Sequence, residues 1–507
     1  MSNRITFYSV SPVGNDVDMK VTANITISNG VATLTNAQTG NIGAGCRIEY
    51  NSTHAYIAPN RIGFDSGGTV EIKIGDKIEG ATSGATGIVR AVHISSGSWS
   101  GGDCAGHIYF EKTTGTWQDN EQINRVKPTS SSNVGTTDGT LEGNIGDGNT
   151  EFVVLTATGA DAGDQSSTSV THIYHEYGSL ALWEAGFTDS SHLANSADLT
   201  TNNDICYACC YYDHVDSTAD ESTTTFDAVT GSDSFIFVFA LIGDAESINK
   251  QRHSGKWDTD KSIMVPSSTG NTISIQTNVK ICGLQVKRCL GDDADTHSVL
   301  FDSSSSSTVA HVFECLIDVT DGNASGTGGL YGGYNKSGNI YAYNNVVFNG
   351  AAGYKAGCIV NNSTNMNWYC YCNTCISGNF GFYRAGSATV VVKNNIAQDC
   401  TDGFNGTFTS SDYNVSDISG DAPGTNSKFC SVSFKDAAND DYSLNSSDAC
   451  AKDAGTDLSS DSNLPIWRDI AGNERDTSTP DIGAFEYVAA GGGSTMAGIY
   501  YRTIMQG

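Results

Sequence analysis

Apolar and polar residues change places at every second position over many short stretches of this chain. The clearest are "NIYAYNNVVFNG" (339–350), "MNWYCYCNTCISG" (366–378) and "ATVVVKNNIAQDC" (388–400). A period of two predicts strands and excludes helical repeats, whose apolar period is 3.6. Each stretch reads as a few strand residues, then an Asn, then a second short strand. "HVFECLIDVT" (311–320) and "TNVKICGLQVKRC" (277–289) occupy matching places upstream. Strand–turn–strand units at irregular steps of roughly 20–30 residues predict a β-solenoid with loops of variable length. Residues 166–487 are expected to hold roughly a dozen such coils.

In a solenoid each coil buries its inward residues only by stacking on its neighbours. Inward Val, Ile, Tyr and Cys then form ladders at the spacing of paired strands. Asn345, Asn373 and Asn395 align at the turns. Asn tolerates the left-handed backbone of a sharp corner, and its amide can bond the Asn of the next coil. They are expected to form a structural ladder. Cys315, Cys375 and Cys400 read as small core residues.

Residues 1–165 carry a different pattern. "VEIKIGDKIEGATSGATGIVRAVHISSGSW" (70–99) and "AGHIYFEKTTGTWQDNEQI" (105–123) alternate short strands with Gly-Asp, Ser-Gly and Thr-Gly turns. That predicts a small antiparallel barrel or sandwich, with 128–149 as a linker or long loop. After Tyr487, a Gly-rich tether leads to "MAGIYYRTIM". There Ile499, Tyr500, Tyr501, Ile504 and Met505 could dock on a partner.

Composition agrees with an all-β chain. The 507 residues include 57 Gly but 7 Pro, and charged residues make up 16%. A net charge of −29 disfavours nucleic acid and anionic membrane surfaces as partners. The 15 cysteines are odd in number. The N-terminus "MSNRITFYSVSPVG" lacks a basic region followed by an apolar one, so no signal peptide is expected. Synthesis in a host cytoplasm with reduced, buried thiols follows. The clusters Cys206, Cys209, Cys210 and Cys370, Cys372, Cys375 lack zinc-ribbon spacing.

The repeat units, with "YGSLALWEA" (177–185) and "DIGAFEY" (481–487), resemble right-handed parallel β-helix proteins of the pectate-lyase-like superfamily. The resemblance implies a right-handed parallel β-helix over 166–487, preceded by a small antiparallel β-barrel or sandwich. It also implies end pieces. Leu180, Leu182, Trp183 and Ala185 would cover the first coil, and Ile482 and Phe485 would close the last. Residues 70–123 resemble a module of tailed-bacteriophage structural proteins.

The chemistry is sparse. Asp292, Asp293, Asp295 and His297, then Glu314 and Asp318, then Lys336, Lys355, Arg384 and Lys393 are the polar candidates on the coils. Glu314 and Asp318 are expected on outward faces, and His253 in an exposed turn. None forms a lyase or hydrolase motif, so no catalytic residue and no cofactor is assigned, though acidic turns could hold a structural Ca²⁺. Three functions stay open. The first is a non-enzymatic virion surface protein (capsid decoration, spike or fibre), forming an oligomer, a trimer first, with other virion proteins. The second is a tailspike that binds or cleaves host surface polysaccharide, and the third a bacterial adhesin.

Overall fold

The computed structural model describes residues 2–189, 192–193, 195–288, 296–320, 328–349 and 357–489. Nine parallel strands form one sheet: Arg4–Val10, Asp204–Cys210, Ile236–Ala240, Val279–Cys282, Val309–Phe313, Ser337–Tyr343, Asn365–Tyr371, Val390–Lys393 and Ser410–Asp412. Between visits to that sheet the chain adds short strands to a second one. Gln285–Lys287, Leu316–Asp318 and Val346–Phe348 stack in one row; His297–Phe301, Gly328–Gly332 and Gly357–Asn361 stack in another. Thr374–Arg384 pairs with the ends of both rows. This winding is a parallel β-helix. Eight of the nine strands follow residue 200, fewer than a dozen coils, because the circuits are long and the last residues do not coil.

Register explains the core. Val238, Ile281, Val312, Ala342, Cys370 and Val392 are successive partners, all buried inside the solenoid. Apolar side chains stacked at strand spacing leave no gap for water, and each large one contributes about 1.5–3 kcal/mol.

At the corner after each strand of this sheet from Val279–Cys282 to Ser410–Asp412, one residue takes the left-handed conformation: Gly283, Glu314, Asn344, Cys372, Asn394 and Tyr413. The stacked asparagines stand one residue later. Asn345 Nδ2 donates to Asn373 Oδ1 at 3.0 Å, and Asn373 Nδ2 to Asn395 Oδ1 at 3.1 Å. Asn395 Nδ2 continues to Asn414 Oδ1 at 3.1 Å. Each of these amides also bonds a backbone carbonyl of the preceding coil, as Asn373 does to Ala342 O at 2.8 Å. The corner and the ladder are therefore adjacent residues, not one residue as expected. The corner side chain points outward, and the next one points in, where it satisfies backbone groups that the bend leaves unpaired.

The outward corner residues hold the C-terminal segment. Asn344 Nδ2 donates to Arg468 O at 2.8 Å, and Arg475 Nη2 to Asn344 Oδ1 at 2.9 Å. Asn394 exchanges bonds with the backbone of Thr456. "DIGAFEY" accordingly runs along the flank of the solenoid without strand structure, rather than closing its last coil. Ile482 packs with Ile396 and Val415, and Phe485 with Leu316 and Phe348. Gly483, at φ +96°, lies where a Cβ would come within 2.4 Å of Ile396. Cys430 and Cys450 are joined by a disulfide, contrary to the expectation of reduced thiols; Cys430 directly follows the last stacked strand, Lys428–Phe429. The other twelve described cysteines carry free thiols; Cys315 and Cys375 are fully buried, and Cys400 is half-buried.

At the other end, the helix Leu180–Ala185 buries Leu180 and Trp183 on the first coil. Leu182 is 59% exposed and covers nothing, since one helical turn can turn only one face inward. Strand Arg4–Val10 also covers that coil's edge by pairing with Asp204–Cys210, so the first residues belong to the solenoid. The rest of the N-terminal region holds two closed antiparallel barrels. One uses Asn24–Ser28, Val31–Leu34, Arg47–Tyr50, Thr53–Ala58, Glu151–Leu155 and Gln165–Tyr174. The second, from Arg61–Gly67 to Ser131–Glu142, is inserted within the first. Much of the expected linker is thus a barrel strand, and the boundary at residue 165 falls at the start of another.

Six buried charges tie these parts together. They alternate in sign: Glu246, Arg90, Glu111, Arg468, Glu314, Arg252. Arg90 and Glu111 come from the inserted barrel, Glu246, Arg252 and Glu314 from the solenoid, and Arg468 from the C-terminal segment. Arg468 grips Glu111 with both terminal nitrogens, at 2.7 and 3.2 Å, and places Nε 3.0 Å from Glu314. Burial alone would raise the Glu111 carboxyl, but Arg468 and Arg90 outweigh it and hold it well below its ordinary range. The network is neutral overall. Every member has a partner of opposite charge.

Two outcomes are expected. Glu111→Gln should cost about 3–5 kcal/mol at neutral pH by leaving Arg468 and Arg90 short of a partner, read by urea unfolding. Because the folded carboxyl is depressed, its contribution is present above the unfolded value of about 4.3 and fades as pH falls below it; the variant should lose less stability on acidification. Asn373→Ala should cost about 1–3 kcal/mol, since it strands two buried donors of Asn345.

Candidate functional site

The network forms the base of an open cleft of about 940 Å³. Its floor is the outer face of the nine-stranded sheet, with Phe235, Lys280, His311, Phe313 and Tyr343. The inserted barrel supplies one wall through Lys73, Asp76, Trp99 and Arg125, and the C-terminal segment supplies Asp461, Leu464 and Trp467. The walls also touch directly: Trp467 Nε1 donates to Gly75 O at 3.1 Å.

Parallel register turns the floor into columns. Lys280, His311, Tyr341 and Tyr369 are successive partners on four coils. The His311 and Tyr341 ring centroids lie 4.5 Å apart at 11°, and those of Tyr341 and Tyr369 4.9 Å apart at 10°. Beside them Phe313 stacks on Tyr343 at 4.7 Å. Column residues Lys280 and His311 line the cleft, while Tyr341 and Tyr369 continue the column beyond it. On the side nearer the strand starts, Asn367 Nδ2 donates to Asn339 Oδ1 at 3.1 Å.

The electrostatics are local. Burial, with Lys73 nearby, brings the Lys280 ammonium down to about 8. It faces the Phe235 ring, 4.8 Å from its centroid. Burial and Lys280 lower His311 to about 3, so its imidazole is neutral. Asp76 rises to about 6 through burial, against the opposing effect of the Lys73 N–H and of Arg125. Burial would also raise Asp461, but its bond from Lys393 Nζ at 2.6 Å and two backbone N–H groups keep it low. The cleft thus offers aromatic surface, hydrogen-bond donors and a few charges.

The residues singled out in the sequence fall mostly elsewhere. Glu314 and Asp318 point out of the solenoid as expected, but both are buried there, Glu314 in the ion network and Asp318 accepting from Asn349 Nδ2 at 3.0 Å. His253 is 1% exposed rather than in an open turn, and its Nδ1 accepts from Gly255 N at 3.0 Å. His297 is buried and stacked on Tyr331. Lys336 pairs with Asp302 at 3.0 Å, and Arg384 bonds Thr407 O. Lys393, through Asp461, supports a cleft wall. Cys206 and Cys210 face the solenoid core, whereas Cys209 faces the barrel, so that cluster does not converge. Asp292, Asp293, Asp295 and Lys355, and the tail residues Ile499 to Met505, lie outside the described residues. The column was missed, although a signal existed. It stands four positions before Leu284, Cys315, Asn345 and Asn373, so aligning the units on their turns displays it.

No family model and no curated protein matches this sequence. Among solved structures the chain is similar to the crystal structure of pectate lyase Pel9A, at 13% identity and a TM-score of 0.31. That match covers 56% of this chain and 88% of the lyase. At this level the likeness carries no argument about function, and the β-helix assignment rests on the strand pairing described above.

Proposed function

We propose that this chain is a surface-displayed, non-enzymatic protein that holds a polysaccharide against the outer face of its solenoid. The observation that carries the reading is the column that runs from Lys280 and His311 on the cleft floor out to Tyr341 and Tyr369, where stacked rings and polar edges recur from coil to coil. Such a mixture of aromatic ring edges and directed donors suits a sugar, with its apolar C–H patches and hydroxyl edges. The finer reading is a bacteriophage virion protein (capsid decoration, spike or fibre). It is supported by the phage-like stretch at 70–123, which lies within the inserted barrel that the ion network fixes to the solenoid. In this reading the protein is an oligomer, a trimer first, attached to other virion proteins, with residues 488–507 as a tether and docking tail.

A cleaving version of the reading would turn on Asp76, a carboxyl on the cleft wall that burial raises to about 6, toward the range of a general acid. Reducing-end release from a bound polysaccharide, abolished in Asp76→Asn, would establish it.

The binding reading is tested with a panel of bacterial surface polysaccharides. At least one should bind, and Tyr341→Ala should weaken it about tenfold, equivalent to about 1.4 kcal/mol. Binding unaffected by Tyr341→Ala and Lys280→Ala would place the glycan elsewhere. For the virion reading, the chain should be found by mass spectrometry in purified phage particles at a fixed copy number; a chain absent from particles would remove it.

A further inference from the structure

The cleft floor also holds an ammonium without a counter-charge. Lysines on other coils have one: Lys287 lies 3.8 Å from Asp318, Lys336 3.0 Å from Asp302 and Lys393 2.6 Å from Asp461. Lys280 instead rests over the Phe235 ring, and no hydrogen bond or ion pair among the described residues engages it. Acidic side chains are plentiful in a chain with 56 Asp and Glu against 27 Lys and Arg. The exception is therefore made by position.

Register fixes that position. Lys280 stands half-buried on the outer face of Val279–Cys282, between Phe237 of the coil before and His311 of the coil after. Neither carries a negative charge, since His311 is a neutral imidazole. Across the cleft the inserted barrel presents Lys73, a second cation, whose partner Glu71 lies 3.6 Å from it. Asp233 lines the same cleft but makes no ion pair with Lys280. An amine held away from water, on an aromatic face and beside another cation, gives up its proton readily. With the ammonium at about 8, roughly a quarter of Lys280 side chains are neutral at pH 7.5. A solvated lysine is neutral in about one molecule in a thousand at that pH. The neutral nitrogen has a lone pair to share, and the open cleft gives small molecules access to it.

We propose that Lys280 is a reactive amine that captures aldehydes covalently and reversibly as imines. Its Nζ attacks the carbonyl carbon, forming a C–N bond while the carbonyl π pair passes to oxygen. One amine proton moves through solvent to that oxygen, giving a carbinolamine. The nitrogen lone pair then closes the C=N bond and expels hydroxide, which takes the second amine proton and leaves as water. The step needs no oxidant, no reductant and no net proton, and water reverses it. The Phe235 ring beside Nζ favours an aldehyde that carries an aromatic or apolar group. The inference stands apart from the polysaccharide reading, because it needs only Lys280 and its neighbours.

Benzaldehyde with cyanoborohydride, applied to the full chain at pH 7.5, tests it. Hydride converts each imine to a stable secondary amine, and peptide mass spectrometry reads the adduct lysine by lysine. Early in the reaction Lys280 should carry at least ten times the adduct of the exposed Lys435. Lys280→Arg should remove that adduct and leave the others. Lys73→Glu alters an exposed side chain, so the fold is not at risk, and it exchanges the neighbouring cation for an anion. It should lower the Lys280 yield at least threefold. Phe235→Ala should act in the same direction by admitting water to the ammonium. Equal adduct on Lys280 and Lys435 would overturn the inference. So would a Lys280 yield that neither Lys73→Glu nor Phe235→Ala changes, because the amine would then owe nothing to its surroundings.

Discussion

Everything about the cleft depends on six charges that have left water together. An isolated buried Arg or Glu would cost several kcal/mol, and a buried pair often does no better than an apolar replacement. Alternation changes that balance here, because each inner member lies between two opposite charges and the sum is zero. The benefit is positional. Arg468 can satisfy Glu111 and Glu314 only where barrel, solenoid and C-terminal segment meet in one arrangement. The cleft walls are therefore fixed by the same contacts that make its base, and the pocket exists before any ligand arrives.

The second constraint is repetition. Parallel coils place equivalent residues one strand spacing apart, on both faces of the sheet. Inside, the repetition yields the Val and Ile ladders and the asparagine stack. Outside, it yields the Lys280 to Tyr369 column and the corner residues that clasp the C-terminal segment. One geometric rule thus produces the core, the clamp and the candidate binding face. The half-buried state of the column follows, since Leu464 and Ile466 pack beside it without covering it.

Local chemistry was legible in the sequence, and distant chemistry was not. Alternation in "NIYAYNN" and "NWYCYCN" dictates strand and corner whatever packs around them. The asparagine doublets at 344–345 and 394–395 hid which member bends the chain, because either residue type tolerates it. Glu314 could be read as outward but not as buried, because its partners Arg252 and Arg468 are 62 and 154 residues away. The alternation of "RITFYSV" (4–10) fits a barrel strand as well as a solenoid strand, so its pairing with Asp204–Cys210 could not be read. Leu182 was apolar in a helix too short to bury it.

The most direct test of the account is a structure of the protein with an oligosaccharide bound. Continuous sugar density is expected over the outer face of the nine-stranded sheet from Lys280 toward Tyr369, with the cleft walls unmoved from the free protein. Sugar on another face of the coils, or a cleft that assembles only when the ligand is present, would contradict it.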